Sequence, residues 1–273
     1  MTIKLVAFDL DGTILERDGS IAAACSDAIA GLQDLGVRCV TASGRSADFQ
    51  LDLLTRSGLL HRFDALIGDE RWVHLVAPPS DDQPLRSFEP WNTDVGKRWL
   101  DLEPEAGQHC RQLAAEAARR GWRCAVSDRT DDLARGLCSV SFDTSANALE
   151  LAAWLEPQLS GDQPDDPRDL GYNCNGSMIH VFDAAYDKGT TLIAVAEHFG
   201  LAADEVMAFG DNFNDGPILD GRYQFRPATV ANADPIVKGW VRDAGGSVAD
   251  HGHGHGVAQL LTEAFATRPI PRS

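Results

Sequence analysis

The chain has 273 residues, 44% of them hydrophobic and 24% charged, the balance of a folded globular protein and not of a disordered or fibrous one. Its 24 Lys and Arg face 41 Asp and Glu, a formal charge of −17. Such a surface repels phosphate backbones and anionic lipid, so neither nucleic acid nor membrane is expected as a partner.

The opening MTIKLVAFDLDG carries only a short apolar run before its carboxylates, unlike a secretory signal or an Arg-rich transit peptide. No stretch approaches the ~20 apolar residues that span a bilayer, and the cytoplasm is the expected compartment. Residues 3–8 read as a buried strand that stops abruptly at Asp9, Asp11 and Gly12. Apolar residues then recur at helical spacing from Ile21 to Leu35, and Gly36 stops them. Residues 37–41 and 65–67 read as further strands. Strand, helix, strand in this rhythm predicts a parallel sheet with crossover helices.

The texture changes near Pro78, where APPSDDQP is a loop-forming cluster. A helix near 108–120, strands at 122–127 and 137–142, a helix at 146–155, the loop SGDQPDDPRDLG and a strand at 178–182 follow. That is a second α/β unit set into the first. A helix at 190–199, a strand at 206–209 and a final helix at 257–265 resume the first fold. The expected domains are a core at 1–79 and 184–273 and an inserted unit at 80–183.

Three strand ends carry polar groups. Asp9 and Asp11 follow the first strand, Ser43, Gly44 and Arg45 follow the second, and Asp211, Asn214 and Asp215 follow the strand at 206–209. In an open parallel sheet this edge is where ligands bind. D-x-D-G alone is as readily a surface turn or a helix cap, and it is the company of the other two groups that points to a site. Several carboxylates converging on one cleft repel one another unless a hard dication neutralises them, and Mg²⁺ takes oxygen ligands while bridging to phosphate. Phosphoryl transfer is the chemistry that suits the set: one carboxylate attacks phosphorus while a second handles the leaving group's proton.

DLDGT, then Ser-Gly-Arg after a strand, then Lys-Gly opening a helix, then GDNFND resembles the haloacid dehalogenase superfamily of phosphatases, with the four motifs in family order from Asp9 to Asp215. The resemblance implies a Rossmann-like α/β core with an inserted α/β cap. It implies Asp9 as nucleophile, Asp11 as general acid/base, and Ser43 and Lys188 as the hydroxyl and cation that hold the phosphoryl oxygens. Mg²⁺ would sit on Asp9, the Asp11 backbone carbonyl and Asp211. Asp215 would hold Lys188, Asn214 and Arg45 would contact phosphate or its surroundings, and Thr13 would support the site. Asn212 stands where many relatives have Ser.

Lys188 is one of four lysines, and a Lys at a helix start is ordinarily a solvated residue that sits poorly with the helix dipole. Its place directly before Gly189 and Thr190 favours the motif instead. Since the stretch from Ser43 to Lys188 is far longer than that from Asp11 to Ser43, the insertion lies between the second and third motifs. This is the arrangement of the Cof-type branch, which includes sucrose-phosphate and mannosyl-phosphoglycerate phosphatases. The expected function is therefore Mg²⁺-dependent hydrolysis of a small phosphorylated metabolite, a sugar phosphate first. The rival readings are a phosphotransferase or mutase using the same Asp9, and a non-catalytic binding protein of the same fold.

Other features read plainly. Six cysteines without a C-x-x-C pair are expected to be reduced thiols, the six tryptophans core or interface residues, and Arg129, Asp131, Asp132 and Arg135 a solvated charge run. The HGHGHG segment at 251–256 reads as a Gly-rich loop before the last helix and not as a metal site.

Overall fold

Leu5, Val6, Ala7 and Phe8 have no exposed surface and form β1 (Leu5–Phe8), as a strand covered on both faces must. The computed structural model describes residues 2–159 and 169–266, which divide into one unit of residues 1–88 with 188–273 and another of 89–187. After β1 come α1 (Ala23–Asp34), β2 (Arg38–Ala42) and α2 (Ala47–Arg56), the last capped by Ser46, whose hydroxyl accepts from Phe49 N. Next are β3 (Ala65–Gly68), β4 (Trp72–Val76) and β5 (Leu85–Ser87). β5 pairs antiparallel with β4, so the sheet of the first unit continues past residue 79.

The second unit holds α3 (Trp91–Arg119), β6 (Cys124–Val126), α4 (Arg129–Arg135), β7 (Leu137–Phe142), α5 (Ser145–Leu159), β8 (Leu170–Asn175) and β9 (Met178–Asp183). Its four strands form an antiparallel sheet in the order β6-β7-β9-β8, with α3 and α5 packed on it. α3 is far longer than the 108–120 segment expected, because Pro104 and Gly107 sit inside the helix without ending it. Of the loop expected at 160–171, residues 160–168 lie outside the described residues and 170–171 begin β8. α4 is a helix with its own partners and not a bare charge run: Asp128 caps it, Arg129 donates to Glu103, and the carbonyl of buried Asp132 accepts from the Trp99 indole.

The first unit then resumes with α6 (Lys188–His198), β10 (Val206–Gly210), α7 (Gly216–Leu219), β11 (Arg226–Thr229), α8 (Pro235–Asp243), β12 (Ser247–Val248) and α9 (His253–Phe265). Its eight strands run β12-β11-β10-β1-β2-β3-β4-β5, parallel from β12 to β3 and antiparallel beyond. This is a mixed α/β fold with a mostly parallel central sheet, as the strand and helix rhythm predicts.

α9 begins at His253 and so takes in the last four residues of the HGHGHG segment that reads as loop. The reason is packing. Gly254 and Gly256 are buried, and a Cβ on Gly256 would lie 2.1 Å from the His251 carbonyl oxygen, while one on Gly254 would lie 3.0 Å from Cys25 Cβ. The alternating glycines let the helix start settle against its surroundings.

Register decides where chemistry can gather. Phe8 is level with Phe209 on one side and Thr41 on the other. The residues just past β1, β2 and β10 therefore emerge together at one sheet edge, where the order reverses about β1. The Phe8 and Phe209 rings stack at 5.6 Å beneath that edge and fix the strands' relative height. No described helix is long and apolar enough to cross a membrane, and all six cysteines are free.

Candidate active site

Asp9 is the first residue beyond β1, where its backbone N–H still donates to the Phe209 carbonyl at 2.9 Å. The residue is only 4% exposed. Lys188, at the first position of α6, reaches the same edge with its amine buried: Nζ donates to Asp9 Oδ1 at 3.1 Å and to Asp215 Oδ1 at 2.5 Å. Asp215 is committed in every direction, since its Oδ2 accepts from the backbone N–H groups of Asp211 (2.9 Å) and Asn212 (3.0 Å). It closes the turn after β10 and holds the Lys188 amine.

Asp211 follows β10 directly, and Thr13 Oγ1 donates to its Oδ1 at 3.2 Å. Carboxylate oxygens of Asp9, Asp211 and Asp215 lie within 4.8 Å of one another. Backbone space permits this only because two positions lack a side chain. A Cβ on Gly12, which has φ +80°, would sit 2.2 Å from Asp211 Oδ2, and one on Gly210 would sit 2.4 Å from Asp215 Cγ.

Three carboxylates against one amine leave the cluster short of positive charge. The proton affinities report that shortage. Burial first, and the neighbouring Asp215 second, push Asp211 up to about 7, and the same two causes raise Asp9 well above the ordinary carboxylate range against the pull of Lys188. Burial alone would lower the Lys188 amine, but Asp215 and Asp9 outweigh it and hold the ammonium charged. A hard dication with oxygen ligands is the group such a donor set fits. With Asp215 spent on Lys188 and on backbone, Asp9 and Asp211 are the carboxylates with oxygen to offer it.

The loop after β2 supplies the other wall. Ser43 is 1% exposed and its Oγ accepts from Arg45 N at 3.2 Å, across the half-buried Gly44. Arg45 turns to Asp11, with Nε on Oδ2 at 2.7 Å and Nη2 on Oδ1 at 2.9 Å. The Asp11 side chain therefore stands outside the carboxylate cluster and is half exposed. Asn214 is buried, and its Nδ2 donates to Glu70 Oε1 at 2.8 Å. Glu70, which no sequence motif marks, lies in the turn between β3 and β4. A carboxylate at a strand end was the available signal, but it stands outside any of the motifs. All these residues belong to the first unit.

The model of the haloacid dehalogenase-like hydrolase family matches residues 6–61 and 130–261. Among curated proteins, an HMP-PP phosphatase of Klebsiella pneumoniae is 26% identical over 246 residues, covering 86% of each chain. One from Yersinia pseudotuberculosis is 27% identical over 247 residues, also with 86% of each covered. Among solved structures, the sucrose-phosphatase of Synechocystis, in complex with sucrose and phosphate, superposes with a TM-score of 0.68 at 16% identity, over 97% of this chain and 98% of that one. A haloacid dehalogenase-like hydrolase from B. subtilis gives 0.66 at 16% identity, over 95% and 99%. With its sheet order, its strand-end carboxylates and the match to the family model all in agreement, the chain belongs to the haloacid dehalogenase-like hydrolases.

Proposed function

We propose that this hydrolase is a Mg²⁺-dependent phosphatase of small phosphate monoesters, working through a phosphoryl group carried transiently on Asp9. The observation that carries the reading is the buried Lys188 amine shared between Asp9 and Asp215, which holds one Asp9 oxygen and leaves the carboxylate poised at the sheet edge. Mg²⁺ held by Asp9, the Asp11 carbonyl and Asp211 would offset the charge of carboxylate and phosphate as they approach.

Asp9 attacks phosphorus, the bond from phosphorus to the ester oxygen breaks, and the departing alkoxide takes a proton from the Asp11 carboxyl. A water then attacks the same phosphorus, gives a proton back to Asp11, and releases Asp9 and inorganic phosphate. Ser43 and Lys188 hold the phosphoryl oxygens through this exchange, Arg45 adds a cation at the rim, and Thr13, Asn214 and Asp215 keep the ligands in place.

The names of the relatives support a small phosphorylated substrate, and a sugar phosphate or similar metabolite remains the first class to test. The net charge of −17 disfavours polyanionic substrates. We assign selection among substrates to the unit at 89–187, inserted between the second and third motifs, and we place the protein in the cytoplasm, where six unpaired thiols are at home. Phosphate release from a panel of sugar, polyol and nucleotide monophosphates and p-nitrophenyl phosphate, with and without Mg²⁺, tests the reading. Metal-dependent release by the wild type and none by Asp9→Asn is expected. Full turnover by Asp9→Asn would remove the nucleophile, and transfer to an acceptor without phosphate release would make the enzyme a phosphotransferase.

A further inference from the structure

Between β3 and β4 the chain turns through Asp69 and Glu70 with φ of +44° and +69°. Two consecutive side-chain-bearing residues in the left-handed region are costly, and glycine or asparagine is the ordinary occupant of such positions. The cost is compounded by burial, because Glu70 is 1% exposed. A carboxylate is retained there under strain and away from water, which asks what the carboxylate does.

Its contacts answer. The backbone N–H of Glu70 donates to the Ser43 carbonyl at 2.9 Å, and that of Asp69 to the Arg45 carbonyl at 3.0 Å, so the turn is laced to the loop that carries Ser43 and Arg45. The side chain goes the other way: Oε1 accepts from Asn214 Nδ2 at 2.8 Å, in the turn that carries Asp211 and Asp215. Oε2 faces the guanidinium of buried Arg71 at 3.9 Å, which balances its charge. Glu70 also adds to the field that keeps Lys188 an ammonium ion.

We infer that Glu70 is a positioning residue of the phosphoryl-transfer site, tying the Ser43 loop to Asn214 and fixing which end of the Asn214 amide faces the reacting groups. A carboxylate only accepts, so it claims an N–H of Asn214 and sets the amide's orientation. The effect is exerted through Asn214, and Glu70 need not touch the substrate. The left-handed backbone is what lets one residue reach both loops. This assignment rests on the phosphatase reading above.

The test separates reach from charge. Glu70→Asp keeps a counter-charge for Arg71 and a residue that tolerates the left-handed region, but draws the carboxylate back from Asn214 by one methylene. Glu70→Gln keeps the reach and an acceptor oxygen. With p-nitrophenyl phosphate at saturating Mg²⁺, E70D should lose about 10–100-fold in kcat with KM within threefold, as loss of a supporting hydrogen bond behind a catalytic site does. E70Q should retain more of kcat than E70D. The double variant E70D/N214A should be no slower than N214A by more than about twofold, since both remove one arrangement. A kcat for E70D within twofold of wild type, losses that multiply in the double variant, or E70Q slower than E70D would each overturn the assignment. A wild type that hydrolyses none of the esters would instead overturn the proposed function, and this role with it.

Discussion

Arg45 grips both oxygens of Asp11, at 2.7 and 2.9 Å, although the two residues lie on different strand-end loops. The proposed acid/base is thereby held at the rim, outside the carboxylate cluster. A phosphoryl group entering the site offers Arg45 a second pair of anionic acceptor oxygens, and the guanidinium can exchange one partner for the other. Both side chains are about half exposed, so the pair adds little to stability, on the order of 0–1 kcal/mol. Arg45→Ala is therefore expected to leave the unfolding midpoint nearly unmoved and to raise KM about tenfold, more than it lowers kcat. Steady-state kinetics beside a denaturant titration checks both, and a KM equal to wild type would place Arg45 outside substrate binding.

Asp11→Asn keeps the shape of that rim and removes the exchangeable proton. Loss of general acid/base help costs about 10²–10⁴-fold in kcat. The loss should shrink for substrates with better leaving groups, so p-nitrophenyl phosphate should suffer less than a sugar phosphate. Equal losses on the two would argue that Asp11 does not protonate the leaving oxygen.

Lys188 has no such exposure. Replacing it by Met strands Asp9 and Asp215 as buried carboxylates without their cation, a change that costs about 3–5 kcal/mol in comparable pairs. Lys188→Met should abolish turnover and lower the denaturant midpoint at pH 8, with part of that loss recovered at pH 5, where Asp9, whose proton affinity burial already raises, can take up a proton. A stable, pH-indifferent variant would contradict the buried ion cluster.

The sequence was most legible where one residue type had one job. The apolar run of β1 ending in Asp9, the strand before Asp211 and the Lys-Gly opening of α6 each combine a burial pattern with an abrupt polar stop, and the parallel register then brings them level. α3 was legible only in its second half, because Pro104 reads as a breaker while tertiary packing of the helix overrides it. β4 and β5 lie at the partly exposed side of the sheet, and their mixed polarity carries no clear period. Glu70 was hidden for a different reason. Its role arises from a backbone conformation, φ +69°, and a long-range bond to Asn214, and neither is written in residue spacing.

Acidity should act on the site in a definite direction. Asp211 moves from 3.8 to about 7 on folding, with Asp9 raised as well, so between those pH values the metal-free folded state binds more protons than the unfolded one. The stabilisation from these groups is fully present below about pH 4 and is lost as pH rises through 7. Mg²⁺ competes with the same protons. In EDTA, stability attributable to the cluster should therefore fall from pH 5 to pH 8, while the increase in midpoint on adding Mg²⁺ should be larger at pH 8 than at pH 5.5. Chemical denaturation across that range, with and without metal, measures both, and a Mg²⁺ effect that grows on acidification would refute the assignment of Asp211 as a ligand.

Two glycines allow backbone strain to be separated from the site itself. Gly12 and Gly19 share φ +80°, so alanine at either carries the left-handed penalty of roughly 1–2 kcal/mol. Their surroundings differ completely. A Cβ on Gly19 meets nothing within 4 Å, whereas one on Gly12 would lie 2.2 Å from Asp211 Oδ2. Gly19→Ala should lose only stability, with kcat and the Mg²⁺ concentration for half-maximal activity near wild type. Gly12→Ala should pay the same backbone cost and in addition displace Asp211, raising the Mg²⁺ requirement at least tenfold and lowering kcat. Mg²⁺ titrations of activity for the two variants make the comparison. Were they to behave alike, the close fit of Gly12 against Asp211 would be incidental to metal binding, because strain alone is common to both.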